Sequence, residues 1–182
     1  MTTPGQQPST TATNHSTTTN PSTPRTQTSY PTEKTQEKTQ EKTITGMITQ
    51  LAANEIFVFG SNLSGRHGAG AARLAREWGA IWGQGFGRQG RTYAIPTKDA
   101  SIRYTLTLVE IQEYANKFIQ YAREHPALVF LLTDVGCGLA GLQAEDVAPL
   151  FRAALEVPNI RIHHKFMTVL CPSPSPSPSH PN

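Results

Sequence analysis

The sequence is poor in the residues that define several common protein classes. Only two of its 182 residues are cysteine, Cys137 and Cys171, too few for the disulfide framework of a small secreted domain. No Cys/His cluster has the spacing of a zinc site. No basic segment followed by an apolar stretch begins the chain, and no apolar run approaches membrane-spanning length. We therefore expect a cytoplasmic protein with no metal, no cofactor and no membrane contact.

Large apolar residues are missing from the start of the chain. Residues 1–45 contain no Leu, Val, Phe or Trp and are mostly Thr, Ser, Pro, Gln, Asn, Lys and Glu. Such a segment cannot bury enough apolar surface to offset the entropy lost on ordering. Residues 172–182 are a Pro/Ser-rich stretch with the same consequence. The composition predicts disordered tails at 1–45 and 172–182 around one domain at 46–171, which is long enough for a core.

A strong charge of either sign is also absent. The formal net charge is +3 at pH 7. Setting aside the four basic and three acidic residues of the first 45 leaves 12 basic residues against 10 acidic ones. This mild excess permits a phosphate-bearing ligand but does not demand a nucleic-acid footprint.

Strand-like and helix-like segments alternate along the domain. Apolar runs predict five strands, at residues 55–60, 80–82, 91–95, 127–132 and 159–166. Helix formers predict three helices, at residues 69–78, 107–122 and 144–155. The second begins with a capping box, Thr107 and Glu110, and Pro149 forces a break or a late start in the third. The alternation predicts an α/β fold, a three-layer α/β/α domain around a mixed, largely parallel sheet.

Two glycine-rich loops leave predicted strands and enter predicted helices, at Ser61–Gly70 and Asp134–Gly141. In parallel sheets, ligands bind beyond the carboxyl ends of the strands. Each loop offers unpaired N–H groups at a helix start, where anions are stabilised. Two such loops on one rim predict a ligand with a diphosphate, although either loop alone also fits plain turn geometry.

Three motifs follow one another in the domain: "GSNLSGRHGAGAARLA" at 60–75, "YAIPTKD" at 93–99 and "VGCGLAGLQAEDVAPLF" at 135–151. The first and third resemble the two ligand-binding loops of macro domains, which enclose ADP-ribose. The second resembles the segment that carries the catalytic lysine of DarG-type macro domains, which remove ADP-ribose from DNA. The resemblance extends from Ile56 to about Ile162, and also includes uncharacterised bacterial and phage proteins with the same pattern.

The resemblance implies roles for particular residues. Lys98 matches the catalytic lysine of the DarG type. The expected ligand-binding residues in the first loop are Asn62, His67, Gly68, Ala69, Gly70 and Ala71. Those in the second loop are Asp134, Gly136, Cys137, Gly138, Leu139, Ala140 and Gly141.

Each of these residue types also has an ordinary structural use. Asn62 fits a ribose contact or an Asx turn, and His67 fits a phosphate or ribose contact or an exposed position in a loop. Asp134 could orient a ribose hydroxyl or Lys98, or cap its own loop. Cys137 has no histidine partner in the sequence that would make it a nucleophile, so small-residue packing is expected.

Other residues near the motifs are less specific. Three aromatic residues could stack on adenine or belong to the core: Trp82, Phe86 and Tyr93. Three arginines could contact the phosphates of a nucleic acid or keep the loops soluble: Arg66, Arg88 and Arg91. The protein-deacylating branch of the family has an aspartate where this chain has Ala140, so the second catalytic group of that branch is missing here.

We expect a monomer. The resemblance implies that it binds ADP-ribose or an ADP-ribosyl group and hydrolyses it from a modified nucleic acid or protein. Lys98 could act as an ammonium that donates to the leaving group, or as a free amine that attacks the opened sugar. Two alternatives remain. One is a non-catalytic module that binds ADP-ribose or another nucleotide. The other is a phage or host-defence protein that uses the same cleft for a different nucleotide.

Overall fold

The computed structural model describes residues 41–172, so the predicted tails lie almost entirely outside the described residues. Its centre is a sheet of six strands: β1 Thr43–Ile44, β2 Glu55–Asn62, β3 Gly87–Gln89, β4 Thr92–Lys98, β5 Val129–Leu132 and β6 Ile160–His163. The strand order is β1-β6-β5-β2-β4-β3. Only β3 and β4 pair antiparallel, and every other neighbouring pair is parallel. The predicted mixed, largely parallel sheet is confirmed.

Four α-helices occur within residues 41–172: α1 Gly70–Ala75, α2 Leu108–Glu124, α3 Ala144–Val147 and α4 His164–Leu170. Short 3-10 helices extend α1 over Arg76–Trp78 and α3 over Ala148–Glu156. The predicted capping box begins α2, since the Glu110 N–H donates to Thr107 Oγ1 at 3.3 Å and the Thr107 N–H donates to Glu110 Oε2 at 2.8 Å. In this part of the chain no helix is both long and apolar enough to cross a bilayer.

The sheet has a hydrophobic cluster on each face. Along β2, Ile56 and Val58 enter one cluster while Phe57 and Phe59 enter the other, because successive side chains of a strand point to opposite faces. The first cluster includes the buried stripe of α2 and residues of α4, and the second includes residues of α1. Burial of each such Phe or Ile side chain contributes about 1.5–3 kcal/mol to the stability of the folded state. The predicted three-layer α/β/α arrangement is confirmed.

The prediction of a strand at residues 80–82 is wrong, since this segment is irregular and leads into a turn. Gly79 has a left-handed φ of 104° and ends the 3-10 helix. The N–H of Ile81 then donates at 2.6 Å to Oε1 of Gln89, a side chain that is only 2% exposed. The N–H of Ile81 is thus bonded to the side-chain amide of Gln89 and not to a neighbouring strand. The strand in this region is β3, at Gly87–Gln89.

Both ends of the domain differ from the sequence expectation. The last strand ends at His163, and the expected strand residues 164–166 begin α4, which buries Phe166, Met167 and Leu170 at helical spacing. At the other end, Thr43 and Ile44 pair with β6. The sheet therefore includes two residues of the segment assigned to the N-terminal tail.

Candidate functional site

The three central strands bring the predicted motifs to one edge of the sheet. Strand β2 lies between β5 and β4 and runs parallel to both, so the carboxyl ends of all three strands meet at that edge. Asn62 at the end of β2 pairs with Lys98 at the end of β4. The loop after β5 begins on the other side of β2. Loop 1 (Ser61–Gly70), loop 2 (Asp134–Gly141) and Lys98 are therefore neighbours because of the strand order.

A cleft of about 590 Å³ opens between these segments, within the range of small-molecule sites. Its lining includes eleven of the fourteen predicted site residues: Asn62, Gly68, Ala69, Gly70, Ala71, Lys98, Asp134, Gly136, Gly138, Leu139 and Ala140. Trp82, Ile102, Arg66 and Thr133 also line it. The two loops and the lysine thus share one cavity.

Asn62 holds loop 1 in shape. Its Oδ1 accepts from the N–H of Arg66 and from Oγ of Ser64, both at 2.9 Å, and its Nδ2 donates to the carbonyl of Arg66 at 2.9 Å. The side chain is only 6% exposed. Its polar atoms are therefore engaged within the loop, as in the Asx-turn alternative.

Loop 1 is also braced by the glycine-rich segment that follows α1. A Cβ atom at Gly85 would overlap the carbonyl oxygen of Asn62, and a Cβ atom at Gly65 would lie 2.5 Å from the carbonyl carbon of Gly83. The N–H of Gly83 donates to the carbonyl of Gly65 at 3.0 Å. The two backbones touch directly, which only glycine permits at such points.

Lys98 is held by a short turn, residues 99–105. Its Nζ donates to the carbonyl of Ile102 at 3.2 Å. Asp99 builds the turn: its carboxylate accepts from Ser101 Oγ at 2.5 Å and from the Tyr104 N–H at 3.1 Å. The hydrogen bond from Ser101, helped by that from Tyr104, holds the pKa of Asp99 below its ordinary value. The carboxylate of Asp99 is therefore used to stabilise the turn, and Nζ of Lys98 points to the carbonyl of Ile102.

Ile102 adopts φ 66° and is the one non-glycine residue between 41 and 172 with a positive φ. A β-branched residue in this conformation is strained by roughly 1–2 kcal/mol. Asparagine tolerates it much better. We predict that Ile102→Asn raises the free energy of unfolding by about 1 kcal/mol, as measured by urea denaturation. Ile102→Val keeps the strain and serves as the control, and an equal gain in both variants would contradict the explanation.

Loop 2 carries backbone donors that the described chain leaves free. Among residues 41–172, the N–H groups of Gly136, Gly138, Leu139 and Ala140 have no protein acceptor. In loop 1 the same is true of Gly68 and Ala69. Loop 2 is fixed from outside, since Thr105 Oγ1 donates to the carbonyl of Ala140 at 2.8 Å. The cleft therefore lies between two sets of unsatisfied donors, the arrangement that binds anions.

A comparison with solved structures identifies the fold. The macrodomain of Mycobacterium tuberculosis DarG aligns with 66% of this chain and 96% of its own length, at a TM-score of 0.50 and 19% identity. This chain has a macrodomain fold. Thermosipho africanus DarTG in complex with ADP-ribose aligns with 61% of this chain and 38% of its own, at a TM-score of 0.45 and 15% identity. No family model and no curated protein matches the chain.

Asp134 has a partner, Lys165, that no motif in the sequence indicates. Its Oδ2 accepts from Nζ of Lys165 at 2.7 Å, with both side chains partly exposed. This hydrogen bond raises the pKa of Lys165. Asp134 lines the cleft but neither caps its own loop with its side chain nor contacts Lys98. The pair forms because β6 lies next to β5, so the start of α4 falls beside the start of loop 2.

His67 lies outside the cleft lining and is fully buried, although an exposed or ligand-facing histidine was expected. Its Nε2 lies 3.0 Å from Ser61 Oγ, and its ring meets that of Phe59 edge to face at 5.2 Å. Burial, with a smaller contribution from the charge of Arg76, lowers the pKa of His67. The histidine packs beneath loop 1 as a neutral ring.

The buried His67 predicts a pH-dependent stability. The folded-state pKa lies below the ordinary 6.5, so the unfolded chain binds more protons in that interval. Stability is then complete above about pH 7.5 and falls as the pH drops through 6.5 toward the folded-state pKa. Between pH 7.5 and 5.5 the free energy of unfolding should therefore decrease, and we expect this decrease to be smaller by up to about 1 kcal/mol in His67→Gln than in wild type, as measured by urea titrations. Burial also lowers the pKa of His163, but this residue is present in both proteins, so its contribution to the pH dependence cancels in the comparison. An unchanged dependence of stability on pH in His67→Gln would refute the role of His67.

Cys137 and Gly141 also lie outside the cleft and border a separate depression beside α4. Burial, reinforced by the charge of Asp134, raises the pKa of the Cys137 thiol to about 11. A neutral thiol at physiological pH is a poor nucleophile. The expectation of small-residue packing fits this position.

Of the aromatic residues and arginines singled out in the sequence, some line the cleft and others stabilise the fold. Tyr93 and Phe86 meet edge to face in the core, with ring centroids 5.8 Å apart, whereas Trp82 lines the cleft. Arg91 donates to the carbonyls of Leu51 and Ala52 and is structural. Of the three arginines singled out in the sequence, Arg66 is the one that lines the cleft.

A second compartment of about 520 Å³ adjoins the cleft and was missed by the sequence analysis. Gly70, Ala71, Thr133 and Asp134 line both cavities. Residues 46–48, Phe57, Leu74 and residues 163–165 form the other walls. These segments are far apart in the sequence and carry no motif. A ligand too long for the cleft can therefore extend toward α4.

Metal ligands are not assembled at either cavity. Within residues 41–172, no three His, Cys, Asp or Glu side chains are grouped as the ligands of a metal ion. The chemistry that the cleft offers comes from backbone N–H groups, Arg66 and the ammonium of Lys98.

Proposed function

We propose that this macrodomain binds ADP-ribose or an ADP-ribosyl group and hydrolyses it from a modified nucleic acid or protein, with Lys98 as the catalytic residue. The observation that carries the proposal is the cleft between the two loops, whose residues Gly68, Ala69, Gly136, Gly138 and Leu139 have unpartnered N–H groups. Such donors favour a diphosphate. The ribose and adenine groups of the proposed ligand, on either side of the diphosphate, rest on the motif resemblance.

The two cavities suit the two halves of such a ligand. The diphosphate would lie between the loops and the adenosine half in the second compartment, where Nδ1 of His163 is buried without a protein partner. The distal ribose would then lie toward Lys98. Cleavage breaks the bond between the anomeric carbon and the modified group, water adds to that carbon, and the leaving group takes a proton.

Lys98 suits this cleavage best as a cation. Its Nζ donates to the carbonyl of Ile102 at 3.2 Å beside the cleft, and an ammonium there has further N–H donors to offer a ligand. From this position the ammonium can donate to the leaving group as negative charge develops there. The amine pathway instead requires a deprotonated lysine that attacks the opened sugar.

A binding module without catalysis is the second candidate. Ala140 supplies no second catalytic group, the carboxylate of Asp99 is used within its turn, and that of Asp134 is paired with Lys165. Lys98 therefore acts without an adjacent free carboxylate among the residues that line the cleft. A module that senses ADP-ribose needs only the two loops.

Calorimetric titration of the full chain with ADP-ribose, and with ADP, AMP and NAD in parallel, tests the binding step. We expect micromolar affinity for ADP-ribose and weaker binding of the others. The release of ADP-ribose from ADP-ribosylated DNA, RNA and protein then separates hydrolase from module. Preference for another nucleotide would show that the cleft serves a different ligand. No binding of any of the four would refute the nucleotide site.

A further inference from the structure

Thr105 connects the turn that holds Lys98 to loop 2. Its Oγ1 donates to the carbonyl of Ala140 at 2.8 Å, a contact between residues that are 35 positions apart in the sequence. The side chain is partly buried and does not line the cleft. Any effect of Thr105 on a reaction in the cleft must therefore pass through its neighbours.

The backbone of Thr105 is fastened to that of Lys98. The two residues face one another as an antiparallel bridge. Beside the bridge, the N–H of Leu106 donates to the carbonyl of Thr97 at 2.9 Å. Nζ of Lys98 is held by the carbonyl of Ile102 in the same turn. A displacement of Thr105 would therefore also move the lysine.

In loop 2, the hydrogen bond from Thr105 fixes one peptide group. The carbonyl of Ala140 accepts from Thr105 Oγ1, and the N–H of Gly141, which belongs to the same peptide group, donates to the carbonyl of Gly138 at 2.9 Å. The N–H groups of Leu139 and Ala140, directly before this peptide group, have no protein acceptor within residues 41–172. The direction in which these free donors point thus depends on Thr105.

We propose that Thr105 is a positioning residue for the cleavage, because it fixes the distance between the free N–H groups of loop 2 and the ammonium of Lys98. The inference rests on the proposed function, in which the loops hold the diphosphate and the lysine donates to the leaving group. Both groups belong to one ligand, so the two contacts form together only when their separation is correct. A misplacement of about 1 Å can slow a reaction about 100-fold. Thr105 thus acts on the chemical step, through Lys98, more than on the affinity.

Two substitutions at this position test the role in the full chain. Thr105→Val replaces the hydroxyl with a methyl group, and Thr105→Ser keeps the hydroxyl. Single-turnover release of ADP-ribose is measured on whichever of ADP-ribosylated DNA, RNA and protein wild type cleaves fastest, and the affinity for ADP-ribose is measured by calorimetry. We expect Thr105→Val to lower the rate about 10- to 100-fold but the affinity less than about threefold, and Thr105→Ser to stay within about threefold of wild type in both.

Thr168→Val is the matched control. Thr168 Oγ1 also donates to a backbone carbonyl, that of His164 at 3.0 Å, but on α4 and outside the cleft. The control therefore loses the same kind of hydrogen bond and should keep the wild-type rate.

A double substitution separates positioning from general structural support. In the Lys98→Ala background, Thr105→Val should lower the rate further by less than about twofold, because a residue that acts through the lysine has little effect once the lysine is gone. A purely structural role would lower the rate by the same factor in both backgrounds.

The other results overturn the inference. A wild-type rate in Thr105→Val would refute it and leave the proposed function intact. Equal losses of rate and affinity would make Thr105 a support of the binding loop alone. A loss in Thr105→Ser as large as that in Thr105→Val would exclude the hydroxyl, and an equal loss in Thr168→Val would make the effect unspecific. Wild type that releases ADP-ribose from none of the three substrates would refute the proposed hydrolysis, and the inference would fail with it.

Discussion

Replacement of Lys98 with alanine should slow the release of ADP-ribose from an ADP-ribosylated oligonucleotide by about 100-fold or more, the usual contribution of a positioned proton donor. The affinity for ADP-ribose should fall much less, because the two loops that we propose to bind the diphosphate do not depend on the lysine side chain. Nζ of Lys98 contacts the carbonyl of Ile102 and no residue of either loop. Single-turnover kinetics and calorimetry on the same preparation separate the two effects.

Lys117→Ala is the matched control for this substitution. Lys117 lies on α2 over the rings of Phe86 and Tyr114 and outside the cleft, so its loss removes an equal charge without touching the site. Equal release rates in Lys98→Ala and wild type would exclude a catalytic lysine. Micromolar binding of ADP-ribose without turnover in wild type would leave the binding module as the function.

The position of the cleft could be predicted because its parts are local in sequence. An apolar run followed by a glycine-rich loop and a helix marks each central strand, and parallel pairing then brings the loop ends together. Lys98 was placed by the same logic, since it ends β4. Strand identity and strand direction predict that these segments meet at one edge, whereas the catalytic role of Lys98 comes from the motif resemblance and stays a prediction.

Contacts between distant segments could not be read in this way. The pair of Asp134 and Lys165 depends on β6 being the neighbour of β5, which no local pattern specifies. Thr43 and Ile44 are too short a strand to stand out from a polar tail, and they exist as a strand because β6 offers a free edge. Such pairings are set by strand order, so a single sequence carries little signal for them.

His67 illustrates a different gap between sequence and structure. A histidine between glycines in a polar loop has the local signature of an exposed residue. In the fold, the loop turns back over β2, and the ring packs against Phe59 with Ser61 as its hydrogen-bond partner. The burial of a loop side chain is decided by where its neighbours in space lie, and here those neighbours come from the preceding strand.

Replacement of Gly85 with alanine should be the most destabilising single methyl addition in the segment that braces loop 1. The new Cβ would overlap the carbonyl oxygen of Asn62 and lie 2.8 Å from that of Leu63. Both obstacles are backbone atoms, so neither can rotate away as a side chain would. We expect a loss of about 3 kcal/mol in the free energy of unfolding and a fall in Tm of roughly 10 °C.

Gly68→Ala is the matched control, because a Cβ atom there meets nothing within 4 Å and the residue has no positive φ. Its stability should stay within about 0.5 kcal/mol of wild type. The damage at Gly85 should also reach the site, since the displaced carbonyls belong to loop 1 and the turn that carries Trp82 lies on the other side of the contact. Well below its Tm, Gly85→Ala should therefore bind ADP-ribose more weakly than wild type. Stability equal to that of Gly68→Ala would mean that the two backbones do not touch, and the cleft wall would then lack the brace on which the position of Trp82 depends.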